Sequence, residues 1–305
     1  MTLSFHPLTL DDRKAMQDVT LYAGRRNCNY TFANLAGWRF RFNTQVCITD
    51  NAVALRYTFN GQRAYMVCTP DAPSPELIEA LLHDSHGDLM LYGLENDQLI
   101  QDSRFKIQDK LSIVNSQLSI ISLRDQYDYI YRRNDLIGLR GKHLAGKRNH
   151  LRRFRAEHPD FEYRPLGPEL FDDCRRLTAI WEGEKEVSET IEAEKRVMET
   201  FFTHWDALGM TGGSIFAGGR MVAFTCGAAV TDDTMDVCVE KADRSVEGAF
   251  AVINQQFAEH LPEQYVYVNR EEDMGIPGLR QAKMSYHPEI LLSFNAVHIT
   301  ENDRG

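Results

Sequence analysis

The order of strands and helices predicted from the sequence is the same in both halves of the chain. Each half begins with a strand, continues through one or two amphipathic helices into antiparallel strands, and ends with a helix and a strand. With 305 residues the chain is about two domains long. We therefore predict an α+β fold with two similar domains, residues 1–158 and 159–305, divided near Pro159.

Local turn and breaker signals add detail to this order. The dipeptides Asn60-Gly61 and Gly218-Gly219 predict tight hairpins, because such turns need positive φ angles. The aromatic stretch 28–38 is predicted to be irregular, and Gly212-Gly213 is predicted to interrupt regular secondary structure. Residues Asn96–Phe105 are predicted to form a short helix.

The composition is that of a folded protein without membrane spans. Hydrophobic residues make up 43% and charged residues 26%, which suffices for a sizeable core. No apolar run approaches the roughly 20 residues that cross a bilayer, and the first residues lack the pattern of a signal peptide. The six cysteines include no C-x-x-C pair and are expected to be reduced, so we expect a cytoplasmic location.

Basic charge is concentrated in one segment of an otherwise acidic chain. The net charge of −10 argues against non-specific nucleic-acid binding. Between Arg132 and Arg155, however, nine residues are basic and one is acidic, a net +8 that leaves −18 for the rest. Leu144, Leu151 and Phe154 recur on one helical face, so residues at about 139–158 are predicted to form a basic linker helix.

Metal-binding motifs are not evident in the sequence. His83 and His86 lie one helical turn apart, but no third ligand accompanies them. We therefore predict no metal site.

The segment Tyr267–Pro288 combines charged residues with glycines. It follows a predicted strand, and charged groups at the carboxyl end of a strand commonly build sites in α/β proteins. Two glycines, which permit close backbone approach, stand among its polar residues Asn269, Arg270, Glu271, Glu272, Asp273, Arg280 and Lys283. On this pattern alone the segment is either an active-site loop or a surface loop stabilised by an Arg–Asp pair.

Several motifs resemble the phosphatidylglycerol lysyltransferase C-terminal domain family. The C-terminal motif comprises Asn269, Asp273-x-Gly275, Gly278-Leu279-Arg280, Lys283 and Tyr286-x-Pro288. Similar motifs upstream are Gly141-Lys142, Lys147-Arg148-Asn149, Leu151-x-x-Phe154, and Cys28-Asn29-Tyr30 with Trp38. The resemblance therefore covers nearly the whole chain, and its C-terminal motif is specific.

This resemblance implies a tandem GNAT-type fold, similar to that of the Fem-type aminoacyl transferases. Each domain would have a mixed, mostly antiparallel sheet with flanking helices, and the C-terminal domain would carry the active site. Relatives move an acyl or aminoacyl group from a thioester or a charged tRNA to an amine or hydroxyl. We therefore expect a transferase without a tightly bound cofactor, which uses aminoacyl-tRNA or acetyl-CoA as co-substrate and a small molecule, peptide or lipid as acceptor.

The resemblance also indicates where the pyrophosphate of coenzyme A would bind. In GNAT enzymes that use it, a glycine-containing loop precedes a helix whose unpaired N–H groups face the phosphates. The matching residues here are Arg244, Gly248 and Ala249, but Glu247 stands at the first glycine position. Because a carboxylate repels pyrophosphate, this departure favours an aminoacyl-tRNA donor.

The implied chemistry assigns roles to individual residues. Glu240 and Asp273 are the candidate catalytic carboxylates, although Glu240 could instead form a salt bridge with Lys241 or Arg270. The candidate substrate-binding residues are Asn269, Arg280, Lys283 and Tyr286. The candidate contacts to tRNA phosphates are Lys142, Lys147, Arg148 and Arg152, unless this helix only connects the domains.

Two other functions remain open at this point. The same fold would suit an acetyl-CoA-dependent N-acetyltransferase, which coenzyme A binding would identify. It would also suit a GNAT-like binding module without catalysis, which would bind its ligand without turnover.

Overall fold

The computed structural model describes residues 2–70, 73–95, 116–182 and 189–301. Its strands are β1 (His6–Pro7), β2 (Gln45–Thr49), β3 (Ala52–Phe59), β4 (Gln62–Cys68), β5 (Asp88–Leu94), β6 (Ser116–Ser122), β7 (Asp128–Arg132), β8 (Glu162–Pro165), β9 (Thr211–Ala217), β10 (Arg220–Ala229), β11 (Thr234–Ala242), β12 (Tyr267–Asn269), β13 (Ile290–Leu292) and β14 (Asn295–Glu301). Its α-helices are α1 (Arg13–Thr20), α2 (Phe32–Phe42), α3 (Pro75–Asp84), α4 (Arg133–Gly138), α5 (Ala145–Glu157), α6 (Phe171–Glu182), α7 (Glu189–Thr203), α8 (Trp205–Leu208), α9 (Ala249–His260) and α10 (Pro277–Met284).

The strands form two seven-stranded sheets with the same internal order. The first sheet runs β1-β2-β3-β4-β5-β14-β6, and the second runs β8-β9-β10-β11-β12-β7-β13. One neighbouring pair in each sheet is parallel, β4 with β5 and β11 with β12. The remaining pairs are antiparallel. The predicted fold, two mixed and mostly antiparallel sheets with flanking helices, is confirmed.

Each sheet receives one strand from the other half of the chain. The C-terminal strand β14 lies between β5 and β6 of the first sheet, and β7 lies between β12 and β13 of the second. Each half therefore supplies backbone hydrogen bonds that complete the other half's sheet. The division into 1–158 and 159–305 stays a prediction, since the two sheets do not separate the chain at a single residue.

Apolar side chains are buried in layers on the faces of the two sheets. Helix α3 covers one face of the first sheet, and helices α4, α5 and α9 cover one face of the second. The largest cluster joins the halves, because helices α1, α2, α6 and α7 contribute to it together with strands of both sheets. Phe32 of α2 and Phe224 of β10 are both almost fully buried there. The two halves thus share a core.

The basic linker helix is shorter than predicted: it was expected over about 139–158, and α5 begins only at Ala145 and ends at Glu157. Leu144, Leu151 and Phe154 are all buried in the cluster against the second sheet. The two predicted hairpins are also confirmed. Asn60-Gly61 joins β3 to β4 and Gly218-Gly219 joins β9 to β10, and all four residues have positive φ.

Two local predictions are wrong, and close packing against glycine explains both. The aromatic stretch 28–38 is largely helical in α2, where a Cβ on Gly37 would lie 2.8 Å from the Phe201 ring of α7. Gly212-Gly213 does not break the chain but lies within β9, where a Cβ on Gly213 would lie 2.2 Å from the Tyr163 hydroxyl. These glycines make room for neighbouring residues.

Other differences concern which strands and helices were predicted and where they begin and end. Strand β7 was not predicted, and the first strand, predicted over Leu3–Leu8, pairs only at His6–Pro7. The helix predicted at Asn96–Phe105 lies outside the described residues. Among the described helices, none has the length and apolar character that a membrane span requires.

The exchange of strands predicts that the C-terminus stabilises the first sheet. Removal of residues 295–305 should expose the edges of β5 and β6 and abolish amide protection in β5, whereas β10 of the second sheet should stay better protected. Hydrogen exchange of the full chain and the truncated chain measures both. A chain that ends at Glu301 is the matched control, and unchanged protection of β5 after the longer deletion would contradict the strand exchange.

Candidate active site

Strands β11 and β12 pair over only three residues and then separate. Their parallel register runs from Thr234 opposite Tyr267 to Asp236 opposite Asn269. Beyond this point β11 continues to Ala242, whereas the chain leaves the sheet after Asn269. The separation leaves backbone groups without a strand partner, and polar side chains gather at this position.

An acidic cluster occupies the point of separation. We define it as the carboxylates of Asp128, Asp236, Glu271 and Glu272 together with the thiols of Cys28 and Cys238. Asp128 comes from the exchanged strand β7, Asp236 and Cys238 from β11, Glu271 and Glu272 from the loop after β12, and Cys28 from the first half of the chain. Asp128 and Asp236 are fully buried, and the two glutamates are partly buried. The cluster therefore depends on both halves.

Neutral donors hold the buried carboxylates in place. The backbone N–H of Cys28 donates to Asp128 at 2.7 Å, and the Asn269 side chain donates to the same oxygen at 2.8 Å. Thr31 donates its hydroxyl to Asp236 at 2.7 Å. The predicted substrate-binding residue Asn269 thus orients a carboxylate of the cluster.

A single amide joins Asp236 to Glu271. Asn34 of α2 donates to Asp236 at 3.0 Å and to Glu271 at 2.8 Å. Glu271 itself has a φ of 56°, in the left-handed region that glutamate rarely adopts. Such strained residues are concentrated at functional sites, where the surrounding structure holds them.

The cluster is deficient in positive charge. Burial and the charge of Glu272 raise the pKa of Asp128 to about 7. Burial and neighbouring carboxylates raise the pKa of Asp236 and that of Glu271 well above their usual values. One oxygen of Asp236, Oδ1, has no hydrogen-bond partner in the described part of the chain. Positive charge bound here would favour the ionised form of these groups.

Lys283, a predicted substrate-binding residue, stabilises the loop that carries the two glutamates. Its buried ammonium donates to the backbone carbonyls of Arg270 at 2.5 Å and Glu271 at 3.1 Å, and also to that of Glu272. Burial lowers the pKa of this lysine, although Glu271 and Glu272 act in the opposite direction. The geometry therefore gives Lys283 a positioning role.

Asp273, a predicted catalytic residue, is fully buried and saturated with donors. Arg280, a predicted substrate-binding residue, donates to both of its oxygens at 2.8 Å. Tyr129 donates its hydroxyl at 2.6 Å and Gly275 its backbone N–H at 2.9 Å. The Arg280 guanidinium, opposed by burial, holds the pKa of Asp273 well below its usual range. A carboxylate held in this way is a weak base, and this geometry favours a structural role.

Glu240, the other predicted catalytic residue, lies where β11 and β12 have separated. Arg270 donates to it at 2.8 Å, and both side chains are 13% exposed. The salt bridge that was the alternative for Glu240 is therefore present. Tyr286 lies on the far side of Arg270, whose guanidinium is 5.0 Å from the tyrosine ring centre. Burial raises the pKa of Tyr286 to about 12.

The loop predicted to bind pyrophosphate packs against the basic linker helix. A Cβ on Gly248 would lie 2.7 Å from the backbone oxygen of His150 in α5, so the helix lies directly over this glycine. Arg153 of α5 donates to Glu247 at 2.7 Å. Ala249 is buried at the start of α9, and Arg244 is exposed. The departure noted at Glu247 is thus part of a contact between loop and helix.

The four predicted tRNA contacts lie in different environments. Lys142 and Arg152 are exposed. Lys147 is partly buried, with its ammonium 4.1 Å from the centre of the Tyr286 ring. Arg148 donates to the carbonyl of Leu139, which follows helix α4, and to that of Gly141 at 2.7 Å. Lys142 and Arg152 therefore remain accessible to a large ligand.

The corresponding position of the first sheet is filled by a tyrosine. Strands β4 and β5 pair in parallel there, as β11 and β12 do in the second sheet. Tyr30 donates its hydroxyl to the carbonyl of Val67 at 2.9 Å, and a Cβ on Gly93 would lie 3.0 Å from that hydroxyl. This arrangement leaves the second sheet as the location of the candidate site.

Sequence reasoning missed most of the acidic cluster. It singled out Asn269 and included Glu271 and Glu272 among the charged residues of the loop, but gave no role to Asp128, Asp236 or Cys238. One usable signal was present, because Asp236 and Cys238 stand two residues apart in a predicted strand and therefore share one face of the sheet. The others come from distant segments that only the fold brings together.

The fold is that of a tandem GNAT-type protein similar to Fem-type transferases. The model of the family "phosphatidylglycerol lysyltransferase, C-terminal" matches residues 22–297, and the chain belongs to this family. Family and fold together indicate an aminoacyl or acyl transferase. A search of curated proteins returns no significant match.

Solved structures agree with this placement. A conserved protein of unknown function from Bacteroides thetaiotaomicron is 35% identical, with a TM-score of 0.88, and the alignment covers 98% of this chain and 100% of that one. The L-PGS structure from Bacillus licheniformis has a TM-score of 0.56 at 12% identity, with 92% and 94% covered. FemX has a TM-score of 0.60 at 8% identity, with 96% and 97% covered. The last two similarities concern the fold.

We predict that Asp273 stabilises the fold in its ionised form. Asp273→Asn should lower the free energy of unfolding by about 2 kcal/mol at pH 7, because it leaves the buried Tyr129 hydroxyl and the partly exposed Arg280 guanidinium without a charged acceptor. Since the folded-state pKa is depressed, this difference should be complete above about pH 4 and should decrease as the pH falls towards the folded-state pKa. Urea unfolding at several pH values measures it.

The matched control is Asp125→Asn, which removes the exposed second partner of the same arginine. That change should cost less than about 1 kcal/mol. Equal effects of the two substitutions would contradict the structural role of Asp273.

Proposed function

We propose that this protein is an aminoacyl transferase, which moves an aminoacyl group from a charged tRNA to an amine or hydroxyl acceptor at the separation of β11 and β12. The acidic cluster is the observation that carries this proposal. An aminoacyl donor has a cationic amino group next to its ester carbonyl, whereas an acetyl donor has none. Buried carboxylates without ion-pair partners suit the first substrate and disfavour the second.

Asp236 and Glu271 are the proposed ligands of the amino group. Asn34 donates to both, so the two carboxylates are held close together, and Oδ1 of Asp236 is available to accept. An ammonium donor is compact and has three N–H groups, which matches acceptors from several directions. The ester carbonyl would then lie near the backbone groups at the point of separation, where an N–H can stabilise the oxyanion.

The transfer step needs the acceptor to lose a proton. The acceptor nitrogen or oxygen bonds to the ester carbon and gives up a proton to the base, the bond from that carbon to the tRNA oxygen breaks, and the base returns this proton to the leaving tRNA oxygen, which becomes a hydroxyl. Glu240 stays our candidate for the group that receives the acceptor proton, since it lies beside the separation and outside the acidic cluster. Asp273 is proposed to position the loop rather than to react.

The contact between the basic linker helix and the pyrophosphate-type loop supports the choice of donor. Helix α5 lies over Gly248, and Glu247 is ion-paired to Arg153 of the same helix. Coenzyme A would need this loop and the following helix N-terminus to be accessible to its pyrophosphate. A charged tRNA needs only its 3′ end to enter and can contact exposed basic residues with its phosphates.

The first test identifies which donor supplies the transferred group. Full-length protein is incubated with a pool of radiolabelled aminoacyl-tRNAs and, in separate reactions, with radiolabelled acetyl-CoA. Phosphatidylglycerol vesicles and a lysine-containing peptide serve as acceptors. We expect label to pass to an acceptor from tRNA and not from acetyl-CoA. Transfer from acetyl-CoA alone would contradict the proposed donor, and binding without transfer from either would favour the binding module.

A second test concerns Glu271. Glu271→Gln keeps the shape of the side chain but removes its charge, so we expect transfer from tRNA to fall about 10- to 100-fold, the loss of one charge-assisted hydrogen bond. Glu289→Gln, on an exposed residue paired with Arg132, is the matched control and should keep full activity. Undiminished transfer by the Glu271→Gln protein would show that the amino group of the donor does not bind at this position.

Binding of tRNA should depend on salt through the basic linker helix. Lys142→Ala and Arg152→Ala should each reduce the slope of log K against log salt by about 0.7–0.9, the value for one lost phosphate contact. Arg175→Ala is the control, because this arginine lies on α6 and pairs with Asp172 and Glu199. Filter binding over a range of salt concentrations measures the slopes, and an unchanged slope in both helix variants would place tRNA elsewhere.

A further inference from the structure

We propose that Cys28, Asp128 and Glu272 form a binding site for one divalent transition-metal ion of the zinc class. This goes beyond the proposed function and departs from the sequence-based expectation of no metal site. The three residues come from distant parts of the chain and converge where the exchanged strand β7 enters the second sheet. Their ligand atoms all lie within 4.8 Å of one another.

The two sulfur–oxygen distances match those around a tetrahedral ion. The Cys28 sulfur is 3.3 Å from Oδ1 of Asp128 and 3.6 Å from Oε2 of Glu272. With zinc–sulfur bonds of about 2.3 Å and zinc–oxygen bonds of about 2.0–2.2 Å, neighbouring sulfur and oxygen ligands of a tetrahedron are about 3.5–3.7 Å apart. Both sulfur–oxygen distances are thus within a few tenths of an ångström of this spacing, and the two carboxylate oxygens lie within 4.8 Å of each other.

The surroundings of Asp128 leave one oxygen directed at the thiol. The backbone N–H of Cys28 and the amide of Asn269 both donate to Oδ2, at 2.7 and 2.8 Å. Among the described residues, Oδ1 receives only the thiol hydrogen of Cys28. Outer hydrogen bonds of this kind orient carboxylate ligands in metal sites. The carboxylate is therefore prearranged with its second oxygen towards the proposed ion.

The charge of the acidic cluster provides an independent reason to expect a cation. Within the part of the chain that the structure describes, none of its four carboxylates has an ion-pair partner within 4.0 Å. The ammonium of Lys283 lies nearby but donates to three backbone carbonyls. Asp236 is fully buried, and its Oδ1 has no hydrogen-bond partner among the residues that the structure describes. A dication at Cys28–Asp128–Glu272, a substrate ammonium at Asp236–Glu271 and Lys283 would together offset four of the five negative charges that the four carboxylates and the Cys28 thiolate then carry.

The donor set indicates the class of ion. A thiolate beside two carboxylates favours borderline ions such as Zn²⁺ or Co²⁺ over Mg²⁺ and Ca²⁺, which prefer oxygen ligands alone. Three protein ligands leave a fourth position for water or substrate, and Glu272 lies on the partly exposed side of the cluster. Binding converts the Cys28 thiol to the thiolate and releases its proton to solvent.

The experiment uses Co²⁺ as a spectroscopic probe and Zn²⁺ as competitor with the full-length protein. We expect one equivalent of Co²⁺ to produce a sulfur-to-cobalt charge-transfer band, one equivalent of Zn²⁺ to remove it, and protons to be released on binding. Cys28→Ser should abolish the band. Glu272→Gln, at a partly exposed position that tolerates the change sterically, should weaken Co²⁺ binding at least tenfold. Cys174→Ser, in the core shared by both halves, should leave the band unchanged.

The following results would contradict the proposed metal site. Folded wild-type protein without the band, or with much less than one equivalent of bound metal, contradicts it. A band that persists in Cys28→Ser assigns the thiolate to another cysteine. If Cys28→Ser fails to fold, full Co²⁺ affinity in Glu272→Gln contradicts the site by itself. None of these readouts depends on transfer, so a protein that binds metal but transfers nothing would overturn only the proposed function.

Discussion

Backbone pairing of the exchanged strand β7 is the interaction on which the candidate site depends. By pairing with β12 and β13, this strand brings Asp128 from the first half of the chain to the point where β11 and β12 separate. The same strand supplies Tyr129, which donates to Asp273, and Tyr131, which donates to the carbonyl of Lys283. Without this pairing neither the acidic cluster nor the loop that carries its glutamates would be held in place.

Two kinds of buried carboxylate lie close together in the structure and differ in how their burial is compensated. Asp273 has strong donors on both oxygens, so its charge is stable and its pKa is depressed. Asp236 and Glu271 have neutral donors and negative neighbours, so their pKa values are raised. The first arrangement stabilises a loop, whereas the second attracts a cation, since the charged form of each group becomes favourable only when positive charge arrives.

Sequence reasoning predicted the local features of the loop after β12 better than their roles. It selected Asn269, Asp273, Arg280 and Lys283, and the structure brings all four to one region. It offered an Arg–Asp pair only as an alternative and gave Lys283 a substrate role, because which side chains pair, and that Lys283 is directed at the backbone, depend on side-chain directions after the chain turns. Asp128 had no signal of its own, since its strand was not predicted.

The sequence by itself determined the α+β class, the two similar halves, the two hairpins and the buried face of the basic linker helix. These features follow from hydrophobic periodicity and turn chemistry, which act over a few residues. Only the tertiary structure decided the exchange of β7 and β14, the closure of the first sheet's opening by Tyr30 and the assembly of the acidic cluster. Each of these joins residues far apart in the chain, and such contacts are set by sheet pairing and shared core packing rather than by local pattern.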